Sequence, residues 1–398
     1  MKMKKMNIIL NHLQKILYNY RSRKSKKNIN KNKILSIIIK IDVIENKKED
    51  SKILAAFIKI FLYTMNIMNF NLKYIYDIFH NDENKLIIIM PAECNPPNIK
   101  YINSNLNLEF KLNICSHNHT FIYELLIETT YIKNIQLQIN NEIFNVKVNK
   151  YPEFKNEIIM STMVYNEDNY IRQWIQFHLN IGVTRFIIYD NSKINDHKSY
   201  KSVEKSSDLK KVLSDFIEKG IVVLIEWTYP YRLKKSGISG QTTQQNHSIY
   251  AFRNSKYIGL FDIDEYVNMQ NNTNIHNFFD SLVTEKNINT NNIGSFEILN
   301  KFFLNPNNLS SNNYDFLFIY NCENISKSGR QKHFVIPKNV ETFSVHKITR
   351  GKNKFNVKGQ DIYFNHYKFL NKKGRGRDKT TLQDKTILKH CNFIKTIV

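Results

Sequence analysis

Between Pro152 and Asp264 apolar runs alternate with segments of helical period, and this rhythm restricts the fold more than any other feature of the chain. Ile158 to Val164 is almost continuously apolar, as expected of a strand covered on both faces. Asn169 to Asn180 predicts a helix, with Ile171, Trp174, Ile175 and His178 on one side and Gly182 placed to terminate it. Arg185 to Tyr189 is a second buried strand and leads into Asp190-Asn191-Ser192. Leu209 to Lys219 reads as helix, Gly220 as its stop, and Ile221 to Trp227 as a third strand. Asn246 to Asn254 reads as helix and Tyr257 to Ile263 as a fourth strand. Strands and helices in this order imply a parallel sheet with crossover helices.

The 398 residues exceed the usual size of one core, so one large domain with a smaller appendage is expected. Residues 1–90 read as a basic helical region, with an amphipathic pattern over Asn7 to Tyr20 and a more apolar run over Ile53 to Met65. Residues 91–150 read as a small antiparallel β module. Leu106 to Ile114, Ile135 to Ile139 and Ile143 to Val148 alternate with strand period, and Asn140-Asn141 suits a hairpin turn. Residues 151–370 form the α/β domain, and 371–398 a basic tail containing Lys372, Lys373, Arg375 and Arg377.

The formal net charge of +23 favours anionic partners without choosing among nucleic acid, membrane and phosphorylated ligands. Heavy use of Asn, Ile and Lys is consistent with AT-rich coding, which discounts single lysines as sites. No helix-turn-helix or RNA-binding aromatic motif accompanies the basic tail, which argues against nucleic acid. The basic amino end suits peripheral contact with an anionic membrane. Ile53 to Met65 is short for a span, which needs roughly 20 apolar residues, and no signal-peptide pattern is visible. The cytoplasm is the default expectation. The four cysteines are scattered without a C-x-x-C pair and suggest neither a disulfide framework nor a zinc site.

The strongest chemical signal is Gly259-Leu260-Phe261-Asp262-Ile263-Asp264-Glu265-Tyr266, an apolar strand running into an acidic turn. Strand alternation puts Asp262 and Asp264 on one face at the carboxyl end, where open α/β sheets bind ligands. Two close carboxylates repel unless a cation lies between them, and Mn²⁺ or Mg²⁺ suits oxygen ligands and can bridge to a diphosphate. Tyr165-Asn166-Glu167 follows the first strand, where Asn166 and Glu167 suit hydrogen bonds to a base or ribose. They suit a helix N-cap equally well. Asp190-Asn191-Ser192 holds the matching place after the second strand.

Met163-Val164-Tyr165-Asn166-Glu167, Trp174-Ile175, His178, Gly182-Val183 and Ile188 to Ser192 together resemble the family 92 glycosyltransferases and their family 2-like relatives. Gln241, Gln244, Gln245, Asn246 and Arg253 resemble the family's Gln-rich segment, and Asp262 to Tyr266 its Asp-x-Asp-Glu-Phe, with Tyr in place of Phe. Arg330, Lys332, Pro337 and Val345-His346 resemble its carboxyl-terminal motif, and Asn365-His366-Tyr367 its closing His-Tyr. The resemblance covers residues 157 to 370. It implies a GT-A-like, Rossmann-like mixed sheet with flanking helices, a nucleotide-sugar donor and a divalent metal. On that reading Asn166, Glu167, Asp190, Gln245, Arg253 and Asp262 contact the donor. Asp262, Asp264 and His346 hold Mn²⁺ or Mg²⁺, with His366 as the alternative histidine.

An inverting reaction also needs a base for the acceptor hydroxyl. Glu265, Glu323, which follows the strand-like Phe316 to Tyr320, and Asp361 are the candidates, and spacing does not choose among them. The expected function is transfer of a hexose from a nucleoside-diphosphate sugar, a UDP-sugar by preference, to a hydroxyl of a glycan or glycoprotein. Two other readings compete. A haloacid-dehalogenase-like phosphatase would use Asp262 as nucleophile and Asp264 as acid, but its motif continues Gly-Thr where this chain has Glu265-Tyr266. A non-catalytic basic nucleic-acid-binding protein rests on charge and the tail alone.

Overall fold

The computed structural model describes residues 75–391 apart from 82, 93–95, 104–105, 115–119, 128–131, 141, 193–207, 230, 232–238, 304–319, 326–329 and 368–381. The helical patterns read over Asn7 to Tyr20 and Ile53 to Met65, the run Phe316 to Ile319 and the basic cluster Lys372 to Arg377 lie outside the described residues. Among the described residues no helix is long and apolar enough to cross a membrane.

The chain is sheet-rich, of mixed α/β type. Its first part is β1 (Asp77–His80), β2 (Lys85–Pro91), β3 (Ile99–Asn103), β4 (Leu106–Glu109), β5 (Lys111–Ile114), β6 (Thr120–Leu126), β7 (Asn134–Ile139), β8 (Glu142–Lys147) and β9 (Asn149–Lys150). These make a five-stranded sheet ordered β5-β6-β2-β1-β9 and a four-stranded sheet ordered β4-β3-β7-β8. The pairing is antiparallel except for β1 with β9. Three expectations change here. Residues 77 to 90, read as the end of a helical region, belong to two paired strands. Leu106 to Ile114, read as one strand, breaks after Glu109 into strands of different sheets. The module is two sheets, because its strands bury separate apolar faces. The hairpin between β7 and β8 forms as read, with Asn140 in the left-handed region at φ 56°.

The second part begins with β10 (Ile158–Val164), α1 (Asp168–Asn180), β11 (Arg185–Asp190), the short helices α2 (Leu209–Val212) and α3 (Ser214–Glu218), and β12 (Val222–Glu226). Then come α4 (Ser239–Ala251), β13 (Tyr257–Leu260), β14 (Glu265–Met269), α5 (Ile275–Glu285) and β15 (Ile293–Phe303). The remainder is β16 (Asn321–Cys322), β17 (Lys332–Val335), β18 (Val340–Ser344), β19 (Lys347–Gly351), β20 (Asn353–Asn356), β21 (Ile362–Tyr367) and β22 (Leu382–Gln383). The four strands read from the sequence are parallel neighbours in the order β12-β11-β10-β13. The sheet continues with antiparallel β17 and β15, and β21 joins β14 to β15.

Two apolar clusters cover the parallel strands. One face carries Ile158, Met160, Phe186 and Ile188 against Ile171, Trp174 and Ile175 of α1. The other carries Ile159, Ile187, Ile258 and Leu260, with Phe79, Ile87 and Ile122 of the five-stranded sheet and Ile249 of α4 in the same cluster. Burial of this extent is the main stabilising term. Helix α4 starts seven residues before the segment read as helical and stops at Ala251. Thr242, Thr243, Gln244, Gln245, Asn246, His247 and Ser248 are all buried, so the helix has no exposed polar face to generate an amphipathic pattern. Side-chain bonds satisfy Gln244, Asn246 and His247 among them. Gln244 Nε2 donates to Ser161 Oγ at 2.9 Å, Asn246 Nδ2 to the Phe343 carbonyl at 2.8 Å, and His247 Nε2 meets Asp77 Oδ2 at 2.7 Å.

Candidate active site

Strand β13 ends at Leu260, so Asp262 and Asp264 sit in a turn beyond it and not within the strand as alternation predicted. Backbone bonds close this turn. The Glu265 amide donates to the Asp262 carbonyl at 3.1 Å, and the Asp262 amide to Glu265 Oε2 at 2.8 Å. Helix α1 supports it from behind, where Trp174 Nε1 donates to the Glu265 carbonyl at 2.9 Å. On the other side the Tyr367 amide of β21 donates to the Asp264 carbonyl at 2.8 Å. The acidic turn is therefore fixed by a helix and two strands.

Three side chains converge on the carboxylates of the turn. Lys332 Nζ, from the first residue of β17, lies 2.6 Å from Asp262 Oδ2 and 3.0 Å from Glu265 Oε2. Gln241, in the first turn of α4, donates to Asp262 Oδ1 at 3.1 Å while its own oxygen accepts from Tyr231. His366 of β21 places Nε2 3.3 Å from Asp264 Oδ2 and Nδ1 3.6 Å from Glu265 Oε1. Its strand register sets this, since His366 pairs directly with Glu265 on β14. The His366 ring packs against Phe302 at 4.6 Å, and the Arg330 guanidinium lies over Phe302 at 5.3 Å.

The charges shift one another. Burial pushes the Asp262 carboxyl up, but the Lys332 ammonium beside it outweighs this and leaves it below its ordinary range. Burial raises Glu265; Lys332 opposes the rise, and Asp262 adds to it. Lys332 itself is desolvated, yet its two carboxylates hold its affinity for a proton above normal, so it stays charged. Burial depresses His366, and Asp264 more than reverses that.

Asp264, Glu265 and His366 each offer one ligand atom, all within 4.8 Å of one another. The buried His366 Nδ1 has no hydrogen-bond partner. Two carboxylate oxygens and one imidazole nitrogen fit a hard to borderline divalent ion, with Mn²⁺ more tolerant of nitrogen than Mg²⁺. Of the two candidate histidines, His366 is the one that lies in this triangle. His346 lies beyond β18, with Nδ1 3.0 Å from the Gln331 carbonyl, outside this triangle.

The donor-binding candidates divide. Asn166, left-handed at φ 52°, donates its amide to Ser192 Oγ at 3.1 Å, so the segments after β10 and β11 come together. Asp190 accepts from the Ser192 amide at 2.9 Å, and Asn191 Nδ2 donates to the Trp227 and Tyr229 carbonyls at 2.6 and 2.9 Å. Glu167 occupies the N-cap of α1 without a side-chain cap bond. Beside Asp190 a cavity of about 340 Å³ is lined by Asp208, Lys210, Leu224 and Glu226. Gln245 is buried one turn along α4 from Gln241, with Oε1 unpaired. Arg253 is elsewhere. It lies twelve residues beyond Gln241, roughly 18 Å along the helix direction, and donates to the Val340 carbonyl at 2.7 Å and the Lys338 carbonyl at 3.3 Å. Its neighbour Glu83 lies at 3.6 Å.

The base candidates separate in the same way. Glu265 is in the cluster. Glu323 donates its amide to Phe302, the strand partner of His366, which puts it two strands across, about 10 Å. Asp361 precedes β21 at the end opposite His366, about 16 Å along the strand, and its carbonyl accepts from Gln270. Spacing alone did not mark Lys332 or Gln241; the family resemblance included both residues and gave neither of them a role.

A model of glycosyltransferase family 92 matches residues 157–395, more than half of the chain. A glycosyltransferase family 92 protein of Arabidopsis thaliana is 26% identical over 120 residues, covering 30% of this chain and 18% of that protein. One of Ricinus communis is 24% identical over 124 residues, covering 31% and 19%. The matched part thus spans about a fifth of the length of these curated relatives. Among solved structures, the apo WbbM bifunctional glycosyltransferase aligns at 13% identity over 42% of this chain and 26% of that one, with a TM-score of 0.22. A siderophore-interacting protein of Acinetobacter baumannii aligns at 9% identity over 55% and 85%, with a TM-score of 0.13. Neither likeness is close enough to carry an argument.

Proposed function

The chain belongs to glycosyltransferase family 92, and on that premise we propose that it transfers a hexose from a nucleoside-diphosphate sugar, preferably a UDP-sugar, to a hydroxyl of a glycan or glycoprotein. The observation that carries this reading is the Asp264–Glu265–His366 triangle beside Asp262, at the carboxyl edge of a parallel sheet. The architecture we infer is GT-A-like, with residues 151–370 as the transferase domain.

In this reading Asp264, Glu265 and His366 hold Mn²⁺ or Mg²⁺, whose role is to neutralise charge on the departing diphosphate. Asp262, whose side chain is 45% exposed, faces the donor and suits a ribose hydroxyl. Asn166 and Asp190 border the nucleotide side of the same edge. The bond from the sugar anomeric carbon to phosphate breaks, a bond from that carbon to the acceptor oxygen forms, and the acceptor proton passes to a base. Glu323 is the better placed of the two downstream carboxylates for that base, because Asp361 lies at the far end of β21.

Phosphatase chemistry is a poorer fit. Both oxygens of Asp262, its required nucleophile, are engaged by Gln241 and Lys332. The deciding experiment measures nucleoside-diphosphate release from a panel of nucleotide sugars, with Mn²⁺ and with chelator. Metal-dependent release from one sugar supports the transferase. Absence of both release and donor binding in folded protein would sink it.

A further inference from the structure

Lys332 is 1% exposed, and burying an ammonium ion costs several kcal/mol unless its surroundings repay it. Here the repayment comes from the acidic turn, through Asp262 Oδ2 at 2.6 Å and Glu265 Oε2 at 3.0 Å. Taken one by one, the carboxylate oxygens fall into two groups. Asp262 Oδ1 accepts from Gln241, Asp262 Oδ2 from Lys332, and Glu265 Oε2 from both Lys332 and the Asp262 amide. Glu265 Oε1 and Asp264 Oδ2 instead face the two nitrogens of His366.

We propose that Lys332 is a positioning residue, the internal counter-cation that keeps Asp262 out of the metal's ligand shell and limits the cluster to one divalent ion at Asp264, Glu265 and His366. The inference rests on the metal-dependent reading above and adds an assignment of which acids ligate. The charge count supports it. Asp262, Asp264 and Glu265 bring three potential negative charges; Lys332 cancels one, and a single divalent ion matches the remaining two. Without Lys332 the same pocket would attract a cation more strongly, and Asp262 would be free to turn toward it.

The test is titration of the full chain with Mn²⁺ alone, by calorimetry and by paramagnetic resonance of bound ion. Wild type is expected to take one ion. K332R keeps the charge and should bind as wild type does. K332M should bind about tenfold tighter, or take a second ion, since a like-signed neighbour has been removed. The double variant K332M/D262N restores the charge count and should return to wild-type affinity. It also removes the buried ammonium together with the charge of its nearest partner, Asp262, which is better tolerated than removing one partner, so it carries the test if K332M alone does not fold. Loss of more than about tenfold in affinity in the double variant would mean that Asp262 is a ligand and would overturn the inference. Folded K332M with unchanged affinity, or two ions in wild type, would overturn it as well. Wild type that takes no Mn²⁺ would fail the metal reading itself, an outcome distinct from binding that Lys332 does not influence.

Discussion

Trp174 donates its indole N–H to the backbone carbonyl of Glu265 at 2.9 Å, joining the centre of α1 to the acidic turn. Both groups are buried, so removing the donor leaves a carbonyl without its partner in the core. W174F is expected to cost about 1–3 kcal/mol by denaturant unfolding and to lower turnover by loosening the turn. Unchanged stability would mean that the turn is held by the β21 contact alone.

Arg253 provides the opposite case, a residue expected at the donor and found bonded to the Val340 and Lys338 carbonyls. R253M should lower stability by about 2 kcal/mol while leaving the donor KM unchanged. A rise in KM without loss of stability would restore the residue to the donor site.

Asp384 accepts from Lys301 Nζ at 2.5 Å, from Tyr363 Oη and from Thr386. Burial raises its carboxyl, but these donors outweigh it and hold it at about 2. A folded pKa below the unfolded one gives stability that is fully present above pH 4 and lost as pH falls through about 2. D384N should therefore be less stable than wild type by about 2 kcal/mol at neutral pH, with the difference shrinking toward pH 2 in chemical unfolding curves.

His178, His333 and His390 are buried, and burial lowers them to about 3, 4 and 4. Below pH 6.5 the unfolded chain takes up protons that the folded chain refuses. Stability should fall with pH from 6.5 toward 4, by up to about 1.4 kcal/mol per pH unit for each histidine. Above 6.5 this contribution disappears. Thermal melting between pH 7.5 and 4.5 measures the slope, and a flat profile would place protonated histidines in the fold.

The parallel strands were legible because burial on both faces writes an unbroken apolar run, as in Ile158 to Val164. Helix α4 was legible only near its end, since its polar side chains from Thr242 to Ser248 are buried and leave no exposed polar face. The acidic turn was readable as Asp-x-Asp-Glu, whereas its partners were less so. Lys332 and His366 arrive on strands 68 and 102 residues after Asp264, and only strand pairing decides that His366 meets Glu265 while His346 does not. Sequence patterns record local period and local turns. They do not record which distant strand ends meet.

The central claim is that Asp264 binds the metal on which sugar transfer depends. Its most direct test compares Mn²⁺-dependent nucleoside-diphosphate release by wild type and D264N, with thermal melting as the control for folding. The account predicts that D264N loses at least about a hundredfold in release, since an amide cannot supply the charge, and melts within a few degrees of wild type. Folded D264N that releases nucleoside diphosphate at the wild-type rate would contradict it.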